Sequence, residues 1–152
     1  MSVLRKLEAD VEIEAPASKF HELLHKRLHH VSKASGDKVQ SCELHEGDWG
    51  KVGSIIYWNY FHDGKAKVGK DVIEAVDEEN NLISFKVIDG DLLKDYKTFN
   101  YTIQAVPKGK GSVIHWTMEY EKLHEKVADS HSMLQFCLAI SKDIDVHLQR
   151  GN

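Results

Sequence analysis

Apolar and polar positions in this chain change period twice. Residues 3–13 alternate, with Leu7, Ala9, Val11 and Ile13 on one face, which predicts a first strand. From Pro16 the spacing becomes helical, with Phe20, Leu23, Leu24, Leu28 and Val31 on the apolar side and Gly36 ending the segment. Pro16 suits the first turn of a helix, where its missing N–H costs nothing. The segment reads as one helix or as two short ones. From residue 38 the two-residue period returns and predicts six consecutive strands, antiparallel neighbours in a meander. Asp63-Gly64 marks the clearest hairpin turn, and Pro107, Gly109 and Gly111 mark the last. In residues 129–149 the period is helical again, with Met133, Phe136, Cys137, Ile140, Ile144 and Leu148 on one stripe. That helix, roughly 30 Å long, has only a sheet against which to bury its stripe. The predicted architecture is α+β, a single domain over 1–152.

Alternation assigns inner faces to the strands. Ile56, Trp58 and Tyr60 share one, as do Ile83, Phe85 and Val87. Phe99, Tyr101 and Ile103 form a third, and Ile114, Trp116, Met118 and Tyr120 a fourth. Lys86, Thr98, Asn100, Thr102, Gln104, His115, Thr117 and Glu119 face the other way. The inner set is rich in Trp, Tyr and Phe, whose rings combine apolar area with a polar tip. Such a set fits a solid core, and it equally fits a cavity that takes a small molecule.

Composition narrows the function classes. Twenty Lys and Arg against 24 Asp and Glu give a net charge of −4, without the basic excess of a nucleic-acid binder. No apolar run approaches the roughly 20 residues that span a bilayer, and the charged N-terminal stretch has no apolar signal core. The two cysteines, Cys42 and Cys137, lack metal-like spacing and are read as reduced thiols in a cytoplasmic protein. Candidate chemistry is sparse. The stretch Glu46 to Ser54 places Lys51 after Gly50, but Val52 follows the lysine and a strand follows the loop, so it is a turn rather than a phosphate loop. His21, His25 and His29 fall four residues apart, followed by His30, opposite the apolar stripe, and are expected to face water rather than a metal. No catalytic constellation is visible, and no cofactor is implied. Lys70, on the face of Val68 and Val72, is the nearest candidate for an inward ionisable group if the protein is a cavity enzyme.

The stretch from His45 to Lys97, "HEGDWGKVGSIIYWNYFHDGKAKVGKDVIEAVDEENNLISFKVIDGDLLKDYK", and the stretch "GSVIHWTMEYEKLHE" carry a more specific signal. With them, essentially the whole chain resembles the major latex protein family, a branch of the plant Bet v 1-like, pathogenesis-related superfamily. The resemblance implies a helix-grip fold: a seven-stranded antiparallel sheet curved around the long C-terminal helix, with two short helices after the first strand. It also implies a large apolar cavity between sheet and helix, and a role in plant defence or stress as a binder or carrier of fatty acids, sterols, flavonoids or hormones. A condensing cavity enzyme and a ligand-dependent signalling protein are the alternatives. Carried over position by position, the sheet side of the cavity comprises Ile56, Trp58, Tyr60, Val68, Val72, Ile83, Phe85, Phe99, Tyr101, Ile114 and Trp116. The helix side comprises Met133, Phe136, Cys137 and Ile140. The expected partner is a hydrophobic small molecule, with no nucleic acid and no membrane span, for a protein that is a monomer or a dimer.

Overall fold

A computed structural model describes residues 3–151. Strand β1 (Leu4–Ile13) leads into helix α1 (Ala17–Lys26), a 3-10 turn (Leu28–His30) and the short helix α2 (Val31–Ala34). Six strands follow: β2 (Val39–Glu46), β3 (Ile55–His62), β4 (Lys65–Asp77), β5 (Leu82–Gly90), β6 (Tyr96–Lys108) and β7 (Gly111–Lys122). Helix α3 (His131–Gln149) closes the chain. The strands form one antiparallel sheet in the order β1-β7-β6-β5-β4-β3-β2, so the meander is closed at one edge by β1. Pro16 sits at the cap of α1, and its carbonyl accepts from Lys19 and Phe20. The helical insert is two helices because the backbone at Arg27 leaves helical geometry (φ −132°, ψ 41°). No described helix is long and apolar enough to cross a membrane.

Register decides which residues face inward. Asp63 and Gly64 both have positive φ (53° and 74°), the pair of left-handed residues that a type I′ two-residue hairpin turn requires. The turn pairs His62 with Lys65, Tyr60 with Lys67, Trp58 with Gly69 and Ile56 with Asp71. Directly opposed residues of an antiparallel pair share a face. Even-numbered residues of β3 therefore lie beside odd-numbered residues of β4. Register shifts at 39–41, 44–46, 70–71, 73–75 and 96–98 interrupt the ladders, and a β-bulge at such a shift bends its strand. The sheet curves around α3 as a result.

Helix α3 is tied at both ends. Near its start, the Tyr120 hydroxyl donates to Asp129 (2.7 Å) and accepts from the backbone N–H of Ser130 (3.1 Å). Toward its end, the Asp145 carboxylate accepts the backbone N–H groups of Glu14 (3.0 Å) and Ala15 (2.8 Å), where β1 turns into α1. Asp143 accepts from Ser35 (2.6 Å) and Lys38 (2.9 Å) on the α2–β2 connection. Between these anchors, Trp116 Nε1 donates to Ser141 (2.9 Å).

The histidines of the helical insert correct an expectation. His21 is buried, and His25, His29 and His30 are half-buried rather than bathed in water. Two loops cover the face that the helical period alone leaves open. In the glycine-bearing loop, Gly50 accepts from His25 Nε2 (2.9 Å) and Trp49 packs on His29 with ring centres 4.8 Å apart. From the β4–β5 turn, Glu78 pairs with His25 Nδ1 (3.0 Å). Gly50 is required there: its φ is 78°, and a Cβ would fall 2.3 Å from the His25 carbonyl oxygen. Among the described residues, no group of three or more potential ligands could hold a metal ion.

Burial holds His21, His30 and His147 below the ordinary histidine value of 6.5. The folded chain therefore binds these protons less well than the unfolded chain. The stability they confer is complete above pH 6.5 and is lost as the pH falls below it. His21→Gln removes one such group. In urea titrations, its stability relative to the parent should rise steadily from pH 7 to pH 5; a pH-independent difference contradicts this.

Candidate ligand cavity

Between the concave face of the sheet and α3 lies a cavity of about 110 Å³. Its sheet wall is aromatic. Phe85 and Tyr101 stack at 4.9 Å between ring centres, and Tyr101 stacks on Trp116 at 6.0 Å. Across the cavity, Phe136 packs on Tyr60 (6.1 Å) and His62 (4.8 Å). Leu24, Leu28 and Val31 from the helical insert, with Val39 and Leu92, also line it. The volume is smaller than the resemblance implies. An apolar cavity of roughly 150 Å³ accepts benzene, whereas drug-sized ligands occupy clefts of about 300 Å³ or more. As it stands, the space suits one ring or a short branched chain.

Of the residues expected on the wall, the structure brings together Trp58, Tyr60, Phe85, Phe99, Tyr101, Trp116, Met133, Phe136, Cys137 and Ile140. Ile56, Ile83 and Ile114 point inward and are fully buried, but they belong to the packed core beside the cavity. Helix α1 packs on β5, β6 and β7 and shares that part of the core. Val68 and Val72 lie on the opposite face, across from Asn59 and Ile55. Lys70, opposite Tyr57, is also on that outer face and is not an inward group. The reason is the two-residue turn: once Trp58 and Tyr60 face inward, the inward residues of β4 are Lys67, Gly69, Asp71 and Ile73. Counting through the Asp63-Gly64 turn is the sequence signal that finds Asp71.

Asp71 is the cavity's one carboxyl group, 4% exposed and set in a wall that is otherwise almost wholly apolar. The Tyr101 hydroxyl donates to its Oδ2. Burial pushes its pKa from 3.8 up to about 7, opposed in part by the nearby Tyr101 hydroxyl and Trp58 indole. Trp58 Nε1 nevertheless makes no hydrogen bond of good geometry, and Tyr60 Oη has no partner. The Tyr101 phenol is driven well above 10, first by burial and then by the Asp71 carboxylate. Burial also pushes the Cys137 thiol upward, so this wall residue is a thiol rather than a thiolate. Gly69, beside Asp71 and opposite Trp58, leaves space where another residue would place a side chain. The site is therefore an aromatic pocket with one titratable acid and two unpartnered polar tips.

Because the folded pKa of Asp71 exceeds the unfolded one, its contribution to stability is complete below about pH 3.8. That contribution is lost as the pH rises toward 7. Asp71→Asn is nearly isosteric and cannot ionise. In urea titrations it should gain stability on the parent as the pH rises from 4 to 8. At roughly 1.4 kcal/mol per pH unit of displacement the gain reaches a few kcal/mol; a flat difference would show that the carboxyl is solvated.

Comparison with known proteins places this geometry. Residues 2–151 match the pathogenesis-related protein Bet v 1 family. MLP-like protein 31 from Arabidopsis thaliana is 61% identical over 149 residues, covering 97% of this chain and 87% of the relative. MLP-like protein 43 from the same plant is 59% identical, covering 97% of this chain and 94% of the relative. The crystal structure of ginseng major latex-like protein 151 from Panax ginseng superposes with a TM-score of 0.92. It is 39% identical, over 95% of this chain and 97% of that one. Sheet order, the long final helix and sequence identity agree, and the chain belongs to the Bet v 1 family, within its major latex protein branch.

Proposed function

We propose that this protein binds a small hydrophobic molecule in the cavity between α3 and the sheet, as a carrier or sensor in plant defence or stress responses. The observation that carries the reading is the apolar space of about 110 Å³ walled by Trp58, Tyr60, Phe85, Tyr101, Trp116 and Phe136. Membership of a family described as pathogenesis-related supports the biological context. Removing roughly 200 Å² of apolar ligand surface from water gives about 5 kcal/mol at ~25 cal/mol per Å². Association costs reduce this, so a single bare ring binds in about the millimolar range. Larger ligands require the wall rings or the middle of α3 to move outward.

A second reading, a cavity enzyme, rests on one observation: an acid whose pKa lies near neutrality faces the ligand space, as general acid–base catalysis requires. It predicts a changed mass for a bound substrate, and the binder reading predicts recovery of the ligand unaltered.

Toluene binding tests the main reading, followed through the methyl NMR signals of Met133 and Ile140. Toluene should shift both. Gly69→Leu, which projects a side chain into the space, and Phe136→Asp should each weaken binding at least tenfold. Gly69→Ala, whose Cβ meets its nearest neighbour at an ordinary 3.6 Å, should retain binding. Unchanged affinity in folded Gly69→Leu and Phe136→Asp variants refutes the cavity as the site.

A further inference from the structure

We propose that the segment from Arg27 to Ala34 is an acid-sensitive flap over the cavity. It is closed while its histidines are neutral and is pushed off α3 when they are protonated, so that acid releases the ligand. The proposal rests on the binding reading above and adds to it a means of release.

The flap has two faces. On one, Leu28 and Val31 line the ligand space. On the other, His29 and His30 meet with ring centres 4.6 Å apart, and His30 meets His147 of α3 at 6.1 Å. Nδ1 of His29, Nδ1 of His30 and Nε2 of His147 are buried without a hydrogen-bond partner. A charge placed on such a ring has no acceptor and little water, which is far costlier than burying the neutral ring. The surroundings add to that cost. The groups acting on His30 are His29, Lys33, Arg27 and His147, and those acting on His147 are Lys33, Arg27 and Arg150, every one a base. Nearby carboxylates serve other partners: Glu22 pairs with Arg27 (3.4 Å) and Asp143 with Lys38 (2.9 Å). From the glycine-bearing loop it is the uncharged Trp49 that packs on His29. Burial first, and then these neighbouring bases, hold His30 and His147 below 6.5. Outward movement of the flap gives the rings water and separates the charges. The open form therefore takes up protons more readily, and a falling pH favours it.

The flap is pinned at both ends. On the α1 side, His25 directs Nε2 at the Gly50 carbonyl (2.9 Å) and Nδ1 at the Glu78 carboxylate (3.0 Å). Both partners accept hydrogen bonds, so protonated His25 satisfies both and keeps its place. His21, buried on α1, faces Glu78 and Asp77, whose charges counter the cost of a proton there. On the other side, Ser35 and Lys38 hold Asp143 of α3. The backbone at Arg27 is already outside helical geometry, which gives the chain a place to bend.

The test follows hydrogen exchange, corrected for its intrinsic pH dependence, and toluene affinity from pH 7 to pH 5. In the parent protein, protection of residues 28–34 should fall about tenfold while that of residues 18–25 holds, and toluene should bind about tenfold more weakly at pH 5. Protonation of Asp71 over the same range makes the wall less polar and acts the other way, so weaker binding in acid reports the flap. A variant combining His30→Gln and His147→Gln should keep its protection and lose no affinity in acid. Lys33→Gln, an exposed change, removes one facing cation and should move the opening to lower pH; it decides the matter if the double variant fails to fold. An equal loss of protection in residues 18–25 overturns the flap in favour of melting of the whole insert. Acid opening that persists in the folded double variant, or that Lys33→Gln leaves at the same pH, also overturns it. Opening without weaker toluene binding overturns acid release. Absence of toluene binding at pH 7 refutes the cavity reading, and the exchange measurement then decides the flap by itself.

Discussion

The structure depends on one helix held at its two ends above a curved sheet. The α3 stripe needs an apolar partner, and the sheet supplies it. The anchors fix how closely the two approach. Tyr120 holds the start of the helix through Asp129 and Ser130, and Asp145 grips the backbone of Glu14 and Ala15 near the other end. Ser35 and Lys38 add a second grip on Asp143. A helix spanning between such fixed points cannot sink onto a concave surface, so its middle turns, Met133 to Ile140, cross an unfilled space. The bulges that bend the sheet and the polar ties that pin the helix thus have one joint consequence, a cavity.

Within that cavity the energetics are set by a buried acid. An isolated carboxyl in an apolar wall prefers to be neutral, and Asp71 is held between the two states by burial on one side and by Tyr101 and Trp58 on the other. A protein selected only for stability would place an apolar residue there. Asp71 instead destabilises the folded chain at neutral pH and gives the pocket a polar address. Local rules are commonly broken in this way at functional sites.

Much of the fold was legible from periodicity. The seven strands, the hairpin at Asp63-Gly64 and the final helix follow from residue spacing, because strand and helix periods differ and each element buries one face. The aromatic wall was legible for the same reason, through Trp58, Phe85, Tyr101 and Trp116. Three features were not read. Alternation alone assigns the inward face of β4 to Val68 and Val72, whereas the two-residue turn reverses the parity and brings in Asp71. Helical period leaves the histidines of the insert facing water, because the loops that cover them, around Trp49, Gly50 and Glu78, are distant in sequence. The size of the cavity depends on how closely α3 approaches the sheet, and that distance is set by side-chain anchors such as Asp145, which no periodicity reports.

Xenon probes the space under the middle of α3 directly. Xenon enters dry apolar cavities without needing any polar partner. Crystals pressurised with xenon should show a bound atom among Phe85, Trp116, Phe136 and Ile140, with α3 unmoved at Asp145. A lattice that diffracts well under xenon yet shows no atom there, with those side chains in mutual contact, would mean that helix and sheet form a solid core.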